Sequence, residues 1–209
     1  MIPPASFQIT EDGAQLPGRG LGTFQPDPAR CPDKSVKQSV LTALKVGYRH
    51  IDTSLRYGDG LGEREVGEAI RESGVPREEI TVVTKLENVF HAPDDVEVNL
   101  DISLKNLGLD YVDIFIMHFP YAYKKTANYS TELLAPSSTN SHLLYPVIDI
   151  ELSRTFDVTW EAMERLVDTG KVKHTGECPS SLLQLPRYRS RGNCFFPSTI
   201  KAQCKHSIV

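Results

Sequence analysis

The chain has 209 residues, 40% hydrophobic and 24% charged, which is enough apolar sequence for one packed core. A net charge of -4 gives no electrostatic basis for nucleic acid or an anionic membrane as partner. No apolar run nears the roughly 20 residues of a membrane span, and Met1 to Thr10 lack the basic and apolar segments of a signal peptide. The four cysteines, Cys31, Cys178, Cys194 and Cys204, form no C-x-x-C pair, so the expectation is a reducing, cytoplasmic setting without a zinc site or disulfide framework.

Phe7 to Thr10 and Ala14 to Leu16, joined through Asp12-Gly13, predict a β-hairpin. Gly20 to Phe24 follows as a short strand. Asp33 to Val46 is helical, with Asp33 as its cap, Val36, Val40, Ala43 and Leu44 in phase, and Gly47 as its stop. Tyr48 to Thr53 is a strand, and Glu63 to Glu72 a helix with Val66, Ala69 and Ile70 on one face. Ile80 to Leu86 is β-branched and the clearest strand. Asp94 to Leu107 is a helix, and Tyr111 to His118 an apolar strand dense enough to be buried on both faces. Phe156 to Asp168 is a helix, and Lys171 to Thr175 opens a fifth strand.

Strands and helices thus alternate at spacings near 30 residues, the pattern of a parallel sheet with helical crossovers. A doubly wound sheet and a (β/α)8 barrel both fit. The glycine-rich run Gly18-Arg19-Gly20-Leu21-Gly22 sits on a strand and lacks the G-x-G-x-x-G dinucleotide fingerprint, which weakens the doubly wound alternative. Two stretches break the rhythm. Tyr121 to Thr155 is a connection of roughly 35 residues, either a surface excursion or a lid over the fourth strand, with Ala135 to Ser141 as loop. From Glu177 onward no apolar period is sustained, and the basic patch Arg187 to Arg191 fits a solvated irregular tail.

Four residues end successive β-type runs or lie just beyond them: Asp52, Tyr57, Lys85 and His118. Together they offer a proton donor, a cation, an anion to hold it and a polar orienting group. Such a set suits polarising a carbonyl and protonating an alkoxide. A tyrosine, with a reference pKa of about 10, is a weak acid near neutrality, and a nearby ammonium favours tyrosinate. Taken singly, each residue has a plainer reading: Tyr57 as packing, Lys85 as a solvated strand end, His118 as a bonded core residue, Asp52 as a turn cap. His50, Asp52 and His118 also permit a metal-hydrolase reading, but no further ligand cluster accompanies them, and no metal is expected.

The run Gly47-Tyr48-Arg49-His50-Ile51-Asp52-Thr53-Ser54, with Tyr57 and Gly62 to Ile70 after it, resembles the aldo-keto reductase signature. The resemblance continues in Thr84-Lys85-Leu86, in Leu107 to Ile114, in Met117-His118-Phe119-Pro120 and in Thr159 to Val167, covering residues 6–176. Phe119-Pro120 and the long excursion after it look more like the fungal and yeast aldose-reductase branch than the mammalian one. The resemblance implies a (β/α)8 barrel and NADP(H) as cofactor. It further implies reduction of an aldehyde or ketone to an alcohol, with a small carbonyl or polyol as substrate. It puts the catalytic tetrad on Tyr57, Asp52, Lys85 and His118, the nicotinamide side on Gly22, Thr23 and Asp52, and pocket walls on Phe24 and Phe119.

The chain departs from the family where the fifth strand ends. Gly176-Glu177-Cys178-Pro179-Ser180 stands where a Gly-x-Ser-Asn-Phe segment holds the nicotinamide carboxamide, and proline has neither side-chain amide nor N–H. The expected organisation is an incomplete barrel over 6–176 (hairpin, four βα units and the start of strand five) and a divergent tail over 177–209. The abrupt change at Glu177 suggests an altered reading frame, a retained intron or a gene-model error. An incomplete barrel exposes strand edges, which favours self-association. The alternative reading is therefore an inactive half barrel that acts, if at all, through protein association.

Overall fold

The computed structural model describes residues 7–9, 15–25, 35–125, 147–177 and 194–195. The expected cap Asp33, the loop Ala135 to Ser141 and the basic patch Arg187 to Arg191 lie outside them. The chain opens with the hairpin β1 (Phe7–Ile9) and β2 (Gln15–Pro17), antiparallel with Gln8 opposite Leu16. There follow β3 (Leu21–Gly22), α1 (Ser35–Lys45), β4 (His50–Asp52), α2 (Leu61–Ser73), β5 (Thr81–Leu86), α3 (Pro93–Leu107) and β6 (Val112–Met117). Next come β7 (Ala122–Tyr123), β8 (Ile148–Asp149), α4 (Ile150–Arg154), α5 (Phe156–Asp168), β9 (Val172–Glu177) and β10 (Cys194–Phe195).

Six strands form one parallel sheet in the order β10-β9-β6-β5-β4-β3. Among these strands spatial order follows chain order throughout. A doubly wound sheet reverses direction at a switch point, and this sheet has none, so the strands wind one way as in a barrel. The helices carry their apolar faces to one side of it. Val36, Val40 and Leu44 of α1, Val66 and Ile70 of α2, Leu100 and Leu104 of α3, and Trp160, Met163 and Leu166 of α5 share a buried cluster with Val82, Leu86, Phe115 and Met117 of the sheet. The opposite, inner face holds a small second cluster, Val83, Ile114 and Ile116, closed by Leu16 from the hairpin. The hairpin is also tied down by His50, whose Nδ1 lies 3.1 Å from the Pro17 carbonyl oxygen.

Two segments differ from the sequence expectation. The excursion after β6 is not wholly irregular: β7 pairs with β8 in antiparallel register, Ala122 opposite Asp149, and α4 follows at once. Asp149 caps α4, its Oδ1 accepting from the Leu152 N–H at 3.1 Å. Within the stretch expected to be an irregular tail, β10 pairs in parallel with β9, Cys194 opposite Thr175. Both added pairings are two residues long, too short to leave a period in the sequence.

Candidate active site

Strand parity and register bring three of the four expected residues to one place. Asp52, the last residue of β4, pairs with Val83, and Lys85 lies two residues further along β5, so both side chains leave the inner face. Lys85 pairs with Ile116, and His118 follows Ile116 by two. The inner-face residues nearest the carboxyl ends of β4 and β5, with the residue just past β6, therefore converge. Tyr57 comes from the turn of residues 55–60 after β4, which closes through Tyr57 N–H to the Ser54 carbonyl at 3.0 Å. Gly58 (φ 64°), Asp59 (φ 51°) and Gly60 (φ 81°) all take the left-handed conformation that lets this turn fold back.

Lys85 is 3% exposed. Its Nζ donates to Asp52 Oδ1 at 2.7 Å and to the Thr53 carbonyl at 2.8 Å, and it lies 4.9 Å from the centre of the Tyr57 ring. Burial opposes the Lys85 charge, but the field of Asp52 and Tyr57 and their hydrogen bonds outweigh it, and its pKa is raised. The ammonium is thus fixed beneath the tyrosine and charged near neutral pH. His118 meets the Tyr57 ring edge-on, centroids 6.0 Å apart. Burial, then the charges of Lys85 and Arg56, lower its pKa to about 3. It is a neutral imidazole near pH 7, and its buried Nδ1 has no hydrogen-bond partner among the described residues. Such an atom is costly to leave unpaired and is suited to a ligand.

Aromatic rings continue on both sides. Phe24 lies tilted against Tyr57 at 5.1 Å and is 55% exposed. Phe119 stacks on His118 at 4.7 Å, and Tyr121 on Phe119 at 5.5 Å. The result is an apolar wall with polar atoms at its centre. His50 shares the inner face with Asp52 but serves the hairpin, and among the described residues no group of three or more His, Cys, Asp or Glu could hold a metal ion.

The sequence matches the aldo/keto reductase family over residues 18–193. The chain belongs to that family. A glycerol 2-dehydrogenase (NADP(+)) of Saccharomyces cerevisiae is 42% identical over 188 residues, 89% of this chain and 56% of that protein. An uncharacterised oxidoreductase of Schizosaccharomyces pombe is 42% identical over 165 residues, 79% of this chain and 46% of that protein. A Bombyx mori aldo-keto reductase, solved in complex with NADP, superposes with a TM-score of 0.63 at 34% identity, covering 83% of this chain and 50% of that one. The chain thus spans about half the length of the relatives it matches, and its parallel sheet corresponds to half of the family's barrel.

Gly22 and Thr23 lie at the β3 edge, beside Asp52. Among the described residues, a Cβ built on Gly22 would meet nothing within 4 Å, so the strand leaves space there. Thr23 is clamped to β4 through N–H and Oγ1, both donating to the Asp52 carbonyl at 3.0 and 2.9 Å. The Asp52 side chain stays 31% exposed while it holds Lys85. Cys178 and Pro179 lie outside the described residues.

Sequence reasoning missed three groups beside this cluster. Arg56 places Nη1 3.2 Å from Glu87 Oε1, and Glu87 is fully buried. Glu63 is fully buried behind the sheet, accepting from Thr84 Oγ1 at 2.7 Å. Only their closeness in sequence to Tyr57 and Lys85 could have pointed to them.

Proposed function

We propose that the chain reduces an aldehyde or ketone to an alcohol with NADP(H), Tyr57 acting as the general acid. The buried Lys85 ammonium carries this reading, held by Asp52 and Thr53 directly under Tyr57. The cofactor, when bound, supplies hydride to the carbonyl carbon. His118, kept neutral, orients and polarises the carbonyl oxygen by hydrogen bonding. Tyr57 breaks its O–H bond as a new O–H bond forms on the substrate oxygen. The phenolate left behind is stabilised by Lys85, whose own charge is balanced by Asp52. Phe24 and Phe119 exclude water around the reacting group. Gly22, Thr23 and Asp52 hold the nicotinamide side. The setting in this reading is the cytoplasm, as the cysteine spacing suggests, and the substrate is a small carbonyl or polyol.

NADPH oxidation that depends on added aldehyde tests it. Replacing Tyr57→Phe removes the acid and leaves the ring, and should lower kcat by roughly 100-fold or more. Equal turnover by the two proteins would sink the assignment of Tyr57.

A further inference from the structure

Arg56 directly precedes Tyr57 and has no part in the chemistry above. Its guanidinium is not a wandering surface charge. Nη1 donates to Glu87 Oε1 at 3.2 Å, and the Arg56 N–H donates to Ser54 Oγ at 3.2 Å. Glu87 is itself fixed: its N–H donates to Asn99 Oδ1 at 2.9 Å, and the neighbouring Asn88 side chain donates to the Tyr121 carbonyl at 2.6 Å. The two partners are unequally exposed. The Arg56 side chain is 44% exposed and the Glu87 side chain 0%. An approaching ligand therefore meets the cation, with its counter-charge desolvated behind it. A guanidinium braced on a buried carboxylate and open to solvent is well shaped to take a second carboxylate. Its charge reaches the site, since it contributes to the low pKa of His118 and also acts on Tyr123. Asn88, beside Glu87, is bonded to the Tyr121 carbonyl, and Tyr121 stacks on Phe119, so the Arg56–Glu87 pair sits next to this part of the aromatic wall.

We propose that Arg56, braced by buried Glu87, is a specificity-determining residue that anchors a carboxylate borne by the carbonyl substrate. This deepens the reductase reading and rests on it for the location of the carbonyl. The probes are 4-carboxybenzaldehyde and its methyl ester, which differ by one charge. Direct binding to the chain is followed by saturation-transfer NMR, and turnover by NADPH oxidation. The acid should bind at least about 10-fold tighter than the ester, the scale of one charge-assisted hydrogen bond, and the preference should weaken with salt. Arg56→Gln should collapse the acid-to-ester ratio in Kd, and in KM where turnover is seen, and Arg56→Lys should restore part of it.

Removing Arg56 alone leaves Glu87 buried and unpaired, which threatens folding. The double variant Arg56→Gln, Glu87→Gln leaves a neutral pair and should lose the preference equally. Preference for the acid in the double variant, or none in the natural chain, overturns the proposal. An Arg56-dependent preference without turnover would uphold the anchor and defeat the reductase reading. Turnover without a preference would do the reverse, and binding of neither probe would defeat the anchor.

Discussion

At the scale of single residues, burial sorts the titratable groups of the site by sign. Lys85 keeps its charge because Asp52 and Tyr57 repay its desolvation, whereas among the described residues no anion repays that of His118 and His91, and they lose theirs. Burial lowers His91 to about 4, and burial with two nearby cations lowers His118 to about 3. Both values lie below the reference value of about 6.5 for an unfolded chain. Below that reference the unfolded chain binds more protons, so these groups stabilise the fold fully above pH 6.5 and less as pH falls toward 4 and 3. Each contributes a loss of about 1.4 kcal/mol per pH unit in that window. Buried Glu63 and Glu87, whose carboxyls are pushed up by desolvation, act in the opposite sense, so the cleanest reading is residue by residue. In an NMR titration the ring C2–H signals of His118 and His91 should stay still from pH 8 to 5. A midpoint near 6.5 for His118 would mean that burial and the charges of Lys85 and Arg56 do not hold the ring neutral below that pH. The convergence of Asp52, Lys85 and His118 was legible in the sequence because each ends or follows a β-type run, where parity and register fix its direction, whereas the position of Tyr57 depends on a turn. The Arg56–Glu87 pair was not, because 31 positions separate its members and nothing local records that they meet.

At the scale of elements, the layer behind the sheet sets how accurately β5 presents Lys85. Thr84 points away from the site, and its hydroxyl donates to Glu63 of α2, whose other oxygen accepts from Asn106 of α3 at 3.0 Å. One buried carboxylate thus links two helices to the residue before Lys85. The two helices must also approach closely, and Gly67 permits it. A Cβ on Gly67 would collide with the backbone carbonyl of Leu107, which a rotamer change cannot relieve. Gly67→Ala should therefore destabilise the chain, by about 2–3 kcal/mol, despite the better helix propensity of alanine. Urea unfolding with an unchanged m-value would register that cost, whereas a stability within about 0.5 kcal/mol of the natural chain would show that α2 and α3 slide apart freely. Helix ends were readable to within about two residues because α2 and α3 stop at glycines in the left-handed conformation, Gly74 and Gly108. The β7–β8 pairing was not readable, since two residues carry no alternation.

At the scale of the whole molecule, the parallel, singly wound sheet follows from the repeated strand–helix alternation together with the missing dinucleotide fingerprint. The sequence could not show how unequally the two faces of that sheet are packed. Among the described residues, twenty-five buried apolar side chains fill the cluster beneath the helices, while four form the cluster on the inner face. Adjacent residues of β5 sample the two: Val82 is 0% exposed on the helix side and Val83 2% on the inner side. By burial alone they would be equivalent, so truncating either valine to alanine would remove the same hydrophobic contribution. The cavity left behind differs in its surroundings. Around Val82 helices and sheet are interlocked and cannot collapse inward. Val83 is covered by Ile114, Ile116 and the single hairpin residue Leu16, which can settle into the space. Since the cost of truncation grows with the residual cavity, Val82→Ala should cost about 2–3 kcal/mol and Val83→Ala about 1 kcal/mol. Urea unfolding of the two variants side by side decides it. Equal losses would mean that the inner face is as firmly packed as the helical layer, and that the hairpin closes this end of the sheet as a rigid plug.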